Sequence, residues 1–545
     1  MDDSPLQGRA AAIALTVDAG AGQKHISPYI YGLNFAKKAF AQEIDLPVRR
    51  WGGNDTTRYN WQINATNHGS DWFFHNDTHS HSYTGAAETN DQWVAENKII
   101  GAESLITMPM VGYVAKDGNQ CTYGFSIMNY GPQDLNDKDN GFPDAGNGIS
   151  DGVPIIVNDP ADTSIAINET FATGWVSHLI AMHGAASAGG VKFLALDNEP
   201  GLWHETHRDV HRVPLTYDES YNQAALYAAA MKTADPAVLI FGPVQDGWAR
   251  YWYASYVSQV QADADRQGHG GLAFVPWYLQ QMNAYEQANG VRLLDFLDLH
   301  FYPQNGVDQA LAGNATKQAL RLRSTAALWD PTYVDESWIK DAGPDGGIVR
   351  LIPRMHDWVD NYYPGTGLAL TEYNWGGLEH INGALTQADI LGIFGQEGLD
   401  LATLWNYPER LNSDTKEEIK YDVFETLPGA YAFRLYRNYD GNGSKFGDVS
   451  VTAASANRAE LAIYAAQRTV DGVLTLMVIN KTVGLLTGDV TLAGFAPAAV
   501  AEVYRYSNAN LNLIVKAADQ PVNPTGFSTS FPANSITLFV IPPAP

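Results

Sequence analysis

Ile13, Leu15 and Val17 alternate with small or polar residues, the period of two that sets one face of a β-strand against a core. From residue 29 onward the pattern changes. Short apolar runs recur at 29–34, 48–51, 104–110, 192–198, 238–242, 297–302, 368–373 and 402–405, and helical spacing separates several of them. Residues 217–233 place Ala224, Ala225, Tyr227, Ala228, Ala229 and Met231 at that spacing and stop before Pro236. Residues 274–288 and 386–396 read the same way, the latter with Ala388, Ile390, Leu391, Ile393 and Phe394 on its apolar face. Eight such strand–helix units over roughly 400 residues predict an α/β fold, a (β/α)8 TIM-like barrel with long insertions. A doubly wound open sheet would need a glycine-rich phosphate loop after an early strand, and neither a G-x-G-x-x-G nor a Walker sequence stands there.

Beyond about residue 445 the helical spacing stops. Residues 460–466, 473–480, 488–492, 499–506 and 535–541 are short alternating runs with turns between them, predicting an all-β sandwich of about 100 residues. Chain termini commonly lie close together, so the N-terminal strand is expected to join it. The expected organisation is a catalytic barrel over 28–440, with 1–27 and 441–545 forming the smaller sandwich domain. No low-complexity linker separates the two, which points to a packed contact between them.

The chain has 545 residues and 45% hydrophobic composition, enough to bury a sizeable core and to exclude disorder as its overall state. Charge narrows the partners. Lys and Arg number 34 against 60 Asp and Glu, a net −26 that repels phosphate backbones and anionic lipid, so neither nucleic acid nor membrane is expected as a partner. A single cysteine, Cys121, excludes an intrachain disulfide or a Cys-x-x-Cys pair. No run of about 18 apolar residues predicts a spanning helix. The start, Met1-Asp2-Asp3-Ser4-Pro5, has neither the basic nor the apolar region of a secretory signal.

The aromatic residues add direction. Fourteen Trp and 28 Tyr together outnumber the 20 Phe, and many Trp lie among Gly, Asn and Asp, as in Trp51-Gly52-Gly53-Asn54, Asp71-Trp72-Phe73, Tyr373-Asn374-Trp375-Gly376 and Leu404-Trp405-Asn406. Together they suggest a cleft in which rings stack on sugar faces while amides and carboxylates bind the hydroxyl rim. Two carboxylates stand out at predicted strand ends. Glu199 closes the apolar run ending Asp197-Asn198-Glu199-Pro200, and Glu372 lies in Thr371-Glu372-Tyr373-Asn374-Trp375. They end strands four and seven, which face each other across a barrel mouth. Cleaving an acetal needs such a pair, one carboxyl protonated for the leaving oxygen and one ionised for the oxocarbenium-like centre.

Substrate-binding candidates follow from strand-end position: Arg50, Trp51, Asn198, His300, Tyr302, Tyr373, Trp375 and Trp405. Tyr302 is a candidate hydrogen-bond donor to the nucleophile, and Trp203, Trp248 and Trp338 are candidates for outer sugar sites. His204 and His207 read as polar loop residues. Residues 134–148 are dense in Asp, Asn and Gly, and Asp137-x-Asp139-x-Gly141 partly resembles a calcium loop without its downstream Glu. Asp137 and Asp139 are therefore candidates for a structural calcium, while His75, His79 and His81 make a weaker case for zinc. No cofactor is expected for catalysis, because the two-carboxylate mechanism needs none. A non-catalytic, lectin-like protein using the same aromatic surface is the competing class.

Ile26-Ser27-Pro28-Tyr29-Ile30-Tyr31-Gly32, the run from Arg50-Trp51-Gly52-Gly53-Asn54 to Tyr59-Asn60-Trp61, Asp71-Trp72-Phe73-Phe74 and the segments around Glu199 and Glu372 resemble glycoside hydrolase family 44 over nearly the whole chain. The resemblance implies a (β/α)8 barrel plus a β-sandwich and a retaining endo-β-1,4-glucanase that also cuts xyloglucan and sometimes mannan or xylan. It implies that Glu199 is the general acid/base and Glu372 the nucleophile. The expected partner is a neutral β-1,4-linked polysaccharide, and the expected protein is secreted and monomeric.

Overall fold

Eight parallel strands follow one another around a closed barrel: Gly32–Asn34, Val48–Trp51, Glu103–Met108, Phe193–Leu196, Leu239–Gln245, Phe296–Phe301, Gly367–Tyr373 and Leu401–Leu404. The structure is a computed structural model that describes residues 11–78, 89–256, 258–307, 311–343, 345–405, 409–411, 418–420 and 424–545. Strands stand near all eight anticipated runs, with shifted ends. Pro28–Tyr31 is a 3-10 turn rather than strand, because Pro28 opens it and the Ser27 side chain accepts from the Tyr29 amide. The fourth strand stops at Leu196, where Asp197 takes a left-handed backbone.

Alternation along the strands sorts the lumen into layers. Val48, Leu105, Phe193, Ala195, Phe241, Ala369 and Leu401 pack as one apolar plug, with Phe241 stacked on Phe296 at 4.3 Å between centroids. Two residues further along, Arg50 and Asp298 face each other in a polar layer above it. The seventh strand departs from simple alternation. Asp298 pairs with Ala369 but His300 pairs with Glu372, so one extra residue is accommodated between them. This bulge lets the consecutive Thr371 and Glu372 both contact groups of the barrel interior.

The remaining large sheet has eleven strands, and Ile13–Asp18 lies within it, parallel to Leu486–Ala493 and antiparallel to Val449–Ser455. Leu15, Val17, Leu461, Leu476, Val503, Phe527 and Phe539 share one core although their strands are spread across the sheet, which therefore curls over onto itself as a sandwich. Ile381–Glu397 packs between barrel and sandwich. It is buried on every side from Ile381 to Gly395, not along a stripe. A Cβ on Gly392 would stand 2.4 Å from the Tyr464 ring, so only glycine allows that approach. Among the described residues no helix is long and apolar enough to cross a membrane.

Asp389 on this helix is the polar centre of the contact. It accepts from Lys481 Nζ and Tyr464 OH, both in the sandwich, and from Thr325 Oγ1 in the barrel, each at 2.7 Å. Burial pushes the carboxyl up, but Lys481 and Arg458 outweigh it and hold Asp389 below the usual carboxylate range. Lys481→Met leaves that carboxylate buried without its hydrogen-bonded cation, and we expect a loss of about 3–5 kcal/mol in urea unfolding. A lowered pKa means that the stabilisation is complete above about pH 3.9 and disappears as pH falls through the folded value. An unchanged urea midpoint in the variant would remove this pair as a determinant of the contact.

Candidate active site

The Glu199 side chain is aimed by a strained turn. Asp197 (φ 68°) and Glu199 (φ 46°) are both left-handed, a cost of about 1–3 kcal/mol for each such residue. The surroundings fix them. The Asp197 carboxylate accepts from Thr57 Oγ1 at 2.5 Å, the Met110 amide at 2.6 Å and the Asn198 amide at 2.7 Å, while the Glu199 amide donates to the Val244 carbonyl at 3.0 Å. The Glu199 carboxyl emerges at the barrel mouth, its side chain 14% exposed.

Glu372 sits opposite, on the bulged seventh strand, and both its oxygens accept. Arg50 Nη1 donates to Oε1 at 2.6 Å and Tyr302 OH donates to Oε2 at 2.9 Å. Arg50, fully buried, also donates to Asn34 Oδ1 at 3.1 Å and Asn198 Oδ1 at 2.7 Å, so the guanidinium joins the first, second and seventh strands to the turn after the fourth. Asn198 Oδ1 accepts from the Gly53 amide as well, and its Nδ2 donates to Asn54 Oδ1. His300 lies between the two carboxyls, with Nδ1 at 2.8 Å from Glu199 Oε1 and 3.6 Å from Glu372 Oε2. Tyr251 OH donates to the His300 carbonyl.

Burial acts on Glu199, His300 and Tyr302. Burial pushes Glu199 up to about 7; Arg50 and Arg250 pull it down and Asp71 pushes it further up. Burial likewise drives His300 down to about 3, against the pull of Glu372, so its imidazole is neutral at working pH. Tyr302 is raised well above its ordinary value by burial and by the two glutamates, so it stays a donor. The result is a carboxyl that keeps its proton near neutrality across from Glu372, whose two oxygens both accept hydrogen bonds. One atom each of Glu199, His300 and Glu372 lie within 4.8 Å of one another, the one three-donor group among the described residues. Its donors are already engaged by Arg50, Tyr302 and Thr371, and a guanidinium at 2.6 Å opposes a second cation there.

The expected sugar-facing aromatics are redistributed. Trp51, Tyr373 and Trp375 offer no face to a sugar. Trp51 packs edge-on against Tyr59 and Trp93, the Tyr373 hydroxyl accepts from Gln387, and the Trp375 indole donates to Ser324 Oγ. The cause is strand alternation: Arg50 and Glu372 point into the lumen, so the next residues, Trp51 and Tyr373, point out into the helix layer. Trp203 and Trp248 are buried too. Trp405 keeps a partly exposed face beside Gly53, whose positive φ and missing side chain let the ring approach. Trp338 is 48% exposed and donates to Gln304 Oε1 at the edge of a cavity of about 180 Å³ that also touches Tyr302, Asp246 and Arg250.

Asp137 does not stand free for calcium. Its buried carboxylate accepts from Trp72 Nε1 at 2.8 Å and Asn140 Nδ2 at 2.7 Å and faces His75 Nε2 at 3.2 Å, whereas Asp139 is exposed. His79 and His81 lie outside the described residues. His204 packs near Ser255, and His207 is buried beneath the Gly69 turn, its pKa pulled far down by burial. Sequence reasoning missed Asn34, Asp298 and Thr371. The Asp298-x-His300 spacing on one strand was the available signal for the second of these.

Comparison with known proteins bears on this geometry. The family model described as glycoside hydrolase family 44 matches residues 65–305. Endoglucanase A of Paenibacillus lautus is 32% identical over 551 residues, covering 98% of this chain and 73% of that protein. The chain belongs to glycoside hydrolase family 44. Among solved structures, CelM2, a bifunctional glucanase-xylanase from a metagenome library, shares 41% identity with a TM-score of 0.89, and 98% of this chain aligns with all of it. A Paenibacillus polymyxa xyloglucanase of family 44 follows at 30% identity and TM-score 0.80, again over 98% of this chain and all of its own. The matched family segment carries Glu199 and His300. Arg50 and Glu372 of this family 44 glycoside hydrolase fall in the parts that the longer alignments span.

Proposed function

We propose that this family 44 enzyme is a retaining endo-β-1,4-glucanase, with Glu372 as nucleophile and Glu199 as general acid/base. The observation that carries the reading is the spacing: carboxyl oxygens of Glu199 and Glu372 lie within 4.8 Å. Retention uses carboxyl groups about 5–5.5 Å apart, whereas inversion needs about 6.5–9.5 Å to admit a water. Glu372 attacks the anomeric carbon as Glu199 gives its proton to the glycosidic oxygen. Glu199, now ionised, takes a proton from the water that attacks the glycosyl-enzyme, and the acid form returns. Arg50 and Tyr302 hold Glu372 at its attack position, and Asn198 shares the Arg50 guanidinium with it.

A cleft in a protein of net charge −26 suits a neutral glucan chain, with or without xylose branches, and polymer degradation fits a secreted, monomeric enzyme. The name of the 41% identical relative makes xylan a second polymer to test, and the family resemblance makes mannan a third. The expected result on carboxymethylcellulose and xyloglucan is a fast viscosity drop with few new reducing ends, and NMR of the first product shows the β-anomer. An initial α-anomer would replace retention by inversion. Binding to these polymers without any release would favour the lectin-like class.

A further inference from the structure

Behind Glu199 a line of hydrogen bonds runs into the barrel. His300 Nδ1 is 2.8 Å from Glu199 Oε1, and His300 Nε2 is 3.1 Å from Thr371 Oγ1. Thr371 Oγ1 is in turn 2.8 and 2.9 Å from the two oxygens of Asp298, whose Oδ1 also accepts the Thr371 amide at 3.1 Å. His300, Thr371 and Asp298 are all fully buried. The proposed two-carboxylate reaction uses neither Asp298 nor the Thr371 hydroxyl.

Counting hydrogens constrains this line. Glu199···His300, His300···Thr371 and Thr371···Asp298 are three links and need three protons. A neutral imidazole supplies one and the threonine hydroxyl another. The third comes from one of the terminal carboxyls, so with every link made one and only one of Glu199 and Asp298 is protonated. With the proton on Glu199, the order is Glu199 O–H to Nδ1, Nε2–H to Oγ1 and Oγ1–H to the Asp298 carboxylate. With the proton on Asp298, all three bonds reverse and Nδ1–H donates to an ionised Glu199. The heavy atoms need not move.

We propose that Asp298 is a positioning residue that, through Thr371 and His300, shares a single proton with Glu199 and thereby sets the form in which the acid/base is held. The proposal rests on Glu199 having that role. No proton is created or lost: the one Glu199 gives to the leaving oxygen is replaced by the one it takes from the attacking water. Burial raises both Glu199 and Asp298, so each of the two arrangements keeps one buried carboxyl neutral. Other charges act on the same groups. Arg50 and Arg250 favour ionised Glu199, whereas Asp71 opposes it, and Asp246 shares its field. Arg50 and Glu372 face Asp298, with Tyr251 nearby.

The test alters none of those charges. In Asp298→Asn, the amide Nδ2 takes the outer position and donates to Thr371 Oγ1, so the line is locked with Nδ1–H toward Glu199 and the negative charge behind it is gone. Both effects favour ionised Glu199. The alkaline limb of kcat/KM on xyloglucan is expected to move acidward by roughly one pH unit. Thr371→Val breaks the line and moves the limb the same way, while Thr371→Ser keeps the hydroxyl and leaves it in place. In a Thr371→Val background, Asp298→Asn adds less than about 0.3 unit, the non-additivity of a single line. If Asp298→Asn fails to fold, the Val and Ser variants at 371 still decide. A limb unmoved in folded Asp298→Asn, or moved equally by Val and Ser, overturns the relay. A limb that survives in Glu199→Gln instead overturns the acid/base assignment on which it rests.

Discussion

Glu372→Gln is expected to lower kcat on β-1,4-glucan by at least ~10⁴-fold, with binding of the same polymer changed less than about threefold. The amide keeps the shape of the carboxylate and most of its contacts. Its oxygen can still accept from Arg50 Nη1, and the Tyr302 hydroxyl can turn to accept from its NH₂, so the elements joined through Arg50 stay joined. What disappears is the negative charge that the proposed attack on the anomeric carbon requires. The loss therefore falls on kcat and not on affinity, and circular dichroism and the unfolding midpoint should match wild type. Turnover above about a tenth of wild type would remove Glu372 as nucleophile. Equal loss of binding and turnover would point to a collapsed Arg50 network.

The barrel was legible because its strands are short apolar runs at regular intervals, and the two carboxylates because each closes such a run in polar, aromatic company. The side of the strand was not legible. Barrel strands are buried on both faces, so their near-continuous apolar pattern does not tell the lumen from the helix layer. That is why Trp51, Tyr373 and Trp375 read as sugar platforms although they pack outward. The bulge that turns both Thr371 and Glu372 inward is likewise a property of pairing with Asp298 and His300, two residues distant in sequence. Ile381–Glu397 shows the same limit at a helix. Its apolar stripe was visible, but the burial of its polar face comes from Lys481 and Tyr464 of the sandwich, which meet Asp389 only in the folded chain.

Glu199→Gln is expected to divide substrates by their leaving groups. On natural glucan the leaving sugar oxygen needs a proton, and losing the general acid costs about 10²–10⁴-fold in kcat/KM. An aryl cellobioside with a strongly acidic phenol leaves without that help, so its first step stays within about tenfold of wild type while the glycosyl-enzyme builds up. The pH profile gives the second readout. Glu199 is held up to about 7 by burial, so the protonated form that the proposed acid role needs dominates below that pH and is lost as pH rises through it. Wild type should therefore show an alkaline limb near neutrality on glucan, and the variant should show none on the aryl substrate. The alternative has a definite owner. Asp246, beside Arg250 and within the field of Glu199, is also pushed up to about 7 by burial. A limb that persists in Glu199→Gln and vanishes in Asp246→Asn would assign the proton to Asp246 instead.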